Sequence, residues 1–121
     1  MSVFRSVSEL NVVPIWDGVA ARVVEGREMT FAVVELAPNM AVQQHQHPNE
    51  QVGVILTGSL RFNIGDERRD LRAGDTYVIR AGVPHDAIAG PEGAVVIDVF
   101  APIREDWRRF VPQPPRPPRW P

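Results

Sequence analysis

An all-β domain is the fold class this sequence predicts, and three observations carry it. Apolar residues come in short runs rich in β-branched side chains. Glycine-bearing turn signals separate the runs. Where alternation is visible, its period is two and not 3.6. The runs, in order, are residues 19–24, 30–36, 52–56, 60–64, 76–79 and 94–100. The turn signals are Thr57-Gly58-Ser59, Gly65-Asp66-Glu67, Ala73-Gly74-Asp75, Ala81-Gly82 and Gly90-Pro91-Glu92-Gly93. In LRFNI, Leu60, Phe62 and Ile64 share one face and Arg61 and Asn63 the other. Short strands with such turns predict a sandwich or barrel, a single domain over residues 1–111. Residues 112–121 differ, holding six of the twelve prolines with Arg116, Arg119 and Trp120 among them. Proline cannot join a sheet interior, so this segment is read as a tail, either disordered or docked with Trp120 as an anchor.

The 121-residue chain is long enough for one core without disulfides, and it contains no cysteine. Any metal must therefore be held by His, Asp, Glu or amide oxygen. A net charge of −2 is too balanced for a nucleic-acid footprint. No apolar run approaches the roughly 18 residues of a membrane span. The start, MSVFRSVSEL, lacks the apolar core of a signal peptide. The expectation is a soluble cytoplasmic protein with neither nucleic-acid nor membrane partners.

Chemistry concentrates in HQHPNEQ, residues 45–51, which holds two of the three histidines. Side chains at i and i+2 of a strand share a face, so a strand would present His45 and His47 side by side. The same parity puts Gln51 on that face and Glu50 on the other, unless Pro48-Asn49 breaks the pleat. The third histidine, His85, follows a strand and the turn Ala81-Gly82-Val83-Pro84.

Two motifs made by these residues resemble those of the cupins, small jelly-roll β-barrels (double-stranded β-helices). The first cupin motif, G-x5-H-x-H-x3,4-E-x6-G, is similar to NMAVQQHQHPNEQVGVILTG, residues 39–58. The second, G-x5-P-x-G-x2-H-x3-N, is similar to GDTYVIRAGVPHDAIA, residues 74–89. Asn39, Arg80 and Ala89 depart from the motifs, and Gln51 stands seven residues before Gly58, where the glutamate falls. The resemblance implies one divalent transition metal ion (Ni, Zn, Fe or Mn) held by His45, His47, His85 and a fourth ligand. Gln51 is assigned that place through its amide oxygen, with Glu50, reached through a bulge, as the alternative. A neutral donor set leaves the cation's charge uncompensated and favours Lewis-acid chemistry on anionic or hydroxylated substrates.

The last strand is VVIDVF. Asp98 shares a face with Val96 and Phe100, while Val95, Ile97 and Val99 form the other. A carboxylate buried among apolar residues is costly unless it is paired, ligated or used. Asp98 is therefore either exposed or paired with an arginine, or it points into the barrel mouth as an acid/base. Arg104 follows Ala101-Pro102, which must bend the chain, and is read either as a surface partner of Glu105 or Asp106 or as a clamp for a substrate carboxylate.

HxHPxEQ and the ending IDVFxPxRED resemble the single-domain cupins of pectin and alginate breakdown. That resemblance implies an enzyme converting 4,5-unsaturated uronate monosaccharides toward the linear keto form, an isomerase-type reaction. In it, Asp98 would move the proton, Arg104 would bind the uronate carboxylate and Phe100 would line the site. Asn49 stands where such relatives often carry another histidine, and Val54 where they often carry an aromatic residue. Other readings are a cupin dioxygenase or another metal enzyme acting on a small acidic sugar or keto acid, and a non-catalytic ligand-binding cupin. Small cupins are commonly dimers, which sets the expectation of a homodimer, with Trp16, Trp107 and Trp120 as candidate anchors or caps.

Overall fold

The computed structural model describes residues 2–121. It has eight antiparallel strands: β1 (Val13–Trp16), β2 (Val19–Glu25), β3 (Thr30–Leu36), β4 (Ala41–His45), β5 (Glu50–Ile64), β6 (Glu67–Arg72), β7 (Thr76–Ile79) and β8 (His85–Ala101). β3 and β7 have the predicted bounds, and β2 extends one residue further.

Two strands, β5 and β8, are far longer than the runs that suggested them, and their length builds the barrel. The first half of β5 pairs with β7 and with the second half of β8, which continues through β3 and β2 to β1. The second half of β5 pairs with β6 and with the first half of β8, which also pairs with β4. One pair of strands thus runs through both faces of the jelly roll, and the core lies between the faces.

The expected turns at 57–59 and 90–93 are not chain reversals. The β5–β8 register jumps there, from Gly58↔Ala94 to Leu60↔Ala89. Both strands stay paired and bend as bulges, which carry strands around barrel corners. Gly58 has φ +76°, and a Cβ on it would run into the Gly93 carbonyl. A strand through that point requires glycine.

The interior face of β5 reads Gln51, Gly53, Ile55 and, after the bend, Leu60 and Phe62. Ile55 and Leu60 are buried, and Leu60, Phe62 and Ile64 pack toward the core as alternation predicted. β6, ERRDLR, carries no apolar pattern because it is a mostly exposed strand paired only with β5.

The proline-rich segment lies along β2 and β3. Val12 and Gln113 exchange two backbone hydrogen bonds. Arg22, in the middle of β2 and fully buried, donates to Glu35 Oε2 (2.7 Å) and to the Arg116 carbonyl (2.9 Å). The Arg119 backbone N–H donates to the same Glu35 oxygen (2.8 Å). This buried ion pair, rather than Trp120 alone, ties the segment down; Trp120 is half-buried.

Candidate metal centre

His45 ends β4 and His85 begins β8, and the two are register partners. His47 lies in the loop between β4 and β5, so strand parity does not orient it as the His-x-His spacing suggested. A local hydrogen bond does so instead, and the same device serves all three rings. Nδ1 of His45 bonds the Gln43 carbonyl (2.9 Å), that of His47 the Asn49 carbonyl (2.9 Å), and that of His85 the Val83 carbonyl (2.8 Å). A carbonyl only accepts, so each Nδ1 carries the proton and each Nε2 presents a lone pair. The three rings form one group whose ligand atoms all lie within 4.8 Å of one another.

Two features test whether a cation fits. His85 Nε2 is buried without a hydrogen-bond partner. A buried lone pair left unpaired is costly, and a metal would satisfy it. His47 Nε2 also faces Gln51 Oε1 at 3.1 Å. With His47 protonated at Nδ1 alone these are two acceptors, and either a bound cation or a second proton on Nε2 makes their proximity favourable. The Gln51 amide also lies close enough to Asp98 to favour its charged form. A carboxylate requires its N–H₂ end, which leaves Oε1 to the histidines. Gln51 is buried whereas Glu50 is exposed, so of the two it is the Gln51 oxygen that could join the three imidazoles around a metal. The donor set fits a divalent transition metal.

The site opens into a pocket with an enclosed volume of about 70 Å³ and a mouth open to solvent. His45, Gln51, His85, Asp98, Phe100 and Arg104 line it, with Trp16 and Tyr77. Asp98 is buried and points inward beside Val96 and Phe100, whose face it shares, which decides against the exposed reading. It accepts a 2.5 Å hydrogen bond from the Tyr77 hydroxyl. Burial pushes its carboxyl up to about 6, against the opposing pull of Tyr77, Gln51 and Arg104. Burial also pushes the Tyr77 hydroxyl well above its ordinary value. His85 is pushed down to about 4 and His47 is lowered, chiefly by burial in both cases. The neutral imidazole is the form that binds metal.

Arg104 pairs with Asp106 and also lines the pocket. Nε and Nη2 donate to Asp106 (3.0 and 2.9 Å), yet the side chain is only 7% exposed. Its guanidinium lies 4.7 Å from the Phe100 ring centre and 4.5 Å from that of Trp107. Its backbone N–H donates to Thr30 Oγ1.

Three residues have roles at the site that the sequence did not show. Asn49 is buried and donates to the carbonyls of Pro102 (2.6 Å) and Ile103 (3.0 Å), fixing the turn that delivers Arg104. Trp16 is 45% exposed at the pocket mouth, edge-on to His45 at 5.1 Å. Tyr77 reads as an ordinary strand aromatic. Alternation within TYVI could have put it on the inner face, but no local signal pairs it with Asp98.

A Cupin domain family matches residues 32–100. The chain is a cupin. Its curated relatives include the pectin degradation protein KdgF of Dickeya dadantii (strain 3937), 28% identical over 93 residues, covering 75% of this chain and 84% of that protein. An H2HPP isomerase of Bacillus subtilis is 35% identical over 51 residues, 41% of this chain but only 22% of that protein. Among solved structures, KdgF from Halomonas sp. superposes with a TM-score of 0.80 at 24% identity, covering 88% of this cupin and 98% of that chain. At that identity the likeness speaks for the fold. Oxalate decarboxylase of Bacillus subtilis aligns with a TM-score of 0.72 at 26% identity, over 81% of this cupin and 29% of that chain. No helix in the described residues is long and apolar enough to cross a membrane.

Proposed function

We propose that this cupin is a metal-dependent enzyme converting 4,5-unsaturated uronate monosaccharides toward their linear keto form. The observation that carries the reading is Asp98, a carboxylate buried in the same pocket as the three converging imidazoles. The similarity to a protein named for pectin degradation supports it. Relatives named as an isomerase and a decarboxylase support an enzyme more generally.

The reaction is an internal rearrangement. The anomeric hydroxyl loses a proton, the bond from C1 to the ring oxygen breaks, C5 becomes a ketone and C4 gains a proton. Atoms balance without water or an oxidant. The residues that would hold the metal are His45, His47, Gln51 and His85, and the bound metal would stabilise negative charge on sugar oxygen. Asp98 moves the proton, and a carboxyl with a pKa near 6 can both give and take one near neutral pH. Arg104 receives the uronate carboxylate through Nη1, which its bonds to Asp106 leave unengaged. Phe100 forms an apolar wall beneath that guanidinium.

The proposal also includes a cytoplasmic setting and a homodimer. Val24, Phe31, Val99, Val52 and Val78 are register partners across five strands on the outer face, apolar surface available to a second copy. Sedimentation at a monomer mass would remove the dimer.

The enzyme reading is tested by ultraviolet loss of the conjugated double bond in freshly prepared unsaturated galacturonate. Metal-loaded protein is expected to accelerate the decay; chelated protein and Asp98→Ala are not. Oxygen consumption in step with substrate loss would favour a dioxygenase instead. Ligand-induced stabilisation without turnover would favour a binding protein.

A further inference from the structure

Tyr77, Gly53 and Asp98 form one rung across three strands. Gly53 on β5 pairs with Tyr77 on β7 and with Asp98 on β8. The Tyr77 hydroxyl crosses above Gly53 to reach Asp98 Oδ1. A Cβ on Gly53 would collide with the Tyr77 Cζ and hydroxyl and would lie 2.6 Å from Asp98 Oδ1. Glycine inside a strand costs stability and marks a close approach. Here the close approach is a hydrogen bond.

We infer that Tyr77, admitted by the missing side chain of Gly53, is a positioning residue that fixes the Asp98 carboxyl for proton transfer. This rests on the uronate reading above. The bond ties Oδ1 to β7, and so sets the rotation of the carboxyl about its last bond. Gln51 favours the charged form of the same carboxyl. Tyr77 is itself held by burial and by the Phe62 ring at 4.8 Å. Asp98 is not present merely to satisfy Tyr77, because burying a carboxylate to pair one hydroxyl costs more than the hydroxyl saves. A phenylalanine facing an apolar residue would pack there with neither cost.

The test compares wild type, Asp98→Asn, Tyr77→Phe and Gly53→Ala, each metal-loaded, in the double-bond assay. Tyr77→Phe keeps the ring and its packing. Gly53→Ala displaces the hydroxyl from the other side, so the inference does not depend on one variant folding. Expected for both is a fall in kcat of about 10- to 100-fold with KM within about twofold, as for a misplaced catalytic group. A purely structural role would lower the melting temperature and leave kcat per bound metal unchanged. Proton NMR adds a readout independent of turnover: a protected downfield hydroxyl resonance, absent in Tyr77→Phe and shifted in Asp98→Asn. Wild-type kcat in both variants, with Asp98→Asn inactive, would overturn the inference alone. An inactive wild type would overturn the uronate reading and this inference with it.

Discussion

Asn49→Ala separates the two jobs done by one residue. The Asn49 side chain bonds the Pro102 and Ile103 carbonyls, while its main-chain carbonyl orients His47. Alanine removes only the first. Two side-chain hydrogen bonds at about 1 kcal/mol net each give a loss of about 2 kcal/mol. Unfolding entropy of about 2.1 cal/mol/K per residue gives about 0.25 kcal/mol/K for 121 residues, so the melting temperature should fall by about 8 °C. The freed turn carries Arg104, so KM for the uronate should rise. A loss of about 1.4 kcal/mol from the charge-assisted contact would raise it about tenfold. Metal content should stay full, because His47 keeps its partner. Asn49→Asp should be worse, since a carboxylate would face two carbonyl oxygens. Calorimetry, metal analysis and steady-state kinetics on the same preparation decide the matter. An unchanged melting temperature, or metal lost with KM unmoved, would refute the reasoning.

Metal added at about 100 times its dissociation constant should stabilise the protein by about 2.7 kcal/mol; His85→Ala should abolish the gain, read as a melting shift against chelated protein. Arg22→Ala should destabilise by about 3 kcal/mol, because it leaves the nearly buried Glu35 carboxylate with only the Arg119 backbone N–H, and should speed amide exchange around Arg119. Arg22→Met should cost less. The Arg104 guanidinium holds the Asp106 carboxyl below its ordinary value. A depressed carboxyl stabilises the fold above its unfolded value, and that contribution is lost as pH falls through the folded value. Asp106→Asn should therefore flatten the stability profile below about pH 4, as measured by denaturant unfolding.

What was legible in the sequence was what is local. Alternation put Leu60 with Phe62 and Asp98 with Phe100 on shared faces, leaving open which way Asp98 points, and the histidine-bearing motifs marked the site. Gly58 and Gly90 suggested turns because glycine permits both a reversal and a bulge, and only the pairing of β5 with β8 distinguishes them. Arg22 gave the same signal as Asp98, a charge in an apolar strand, and went unread. The hydrogen-bonding roles of Asn49 and Tyr77 were silent because their partners lie 53 and 21 residues away, a closeness created by the fold. Trp16 looked like a cap or an interface anchor, yet it stands at the pocket mouth, where β1 brings it beside His45.

Carbon NMR of a 4,5-unsaturated uronate in deuterated water, with metal-loaded protein, tests the central claim most directly. The olefinic C4 signal should give way to a methylene carbon bearing one solvent deuteron, with a new C5 carbonyl, at a rate proportional to protein and lost in Asp98→Ala. Decay at the rate of buffer alone, with one metal per chain shown to be bound, would contradict it.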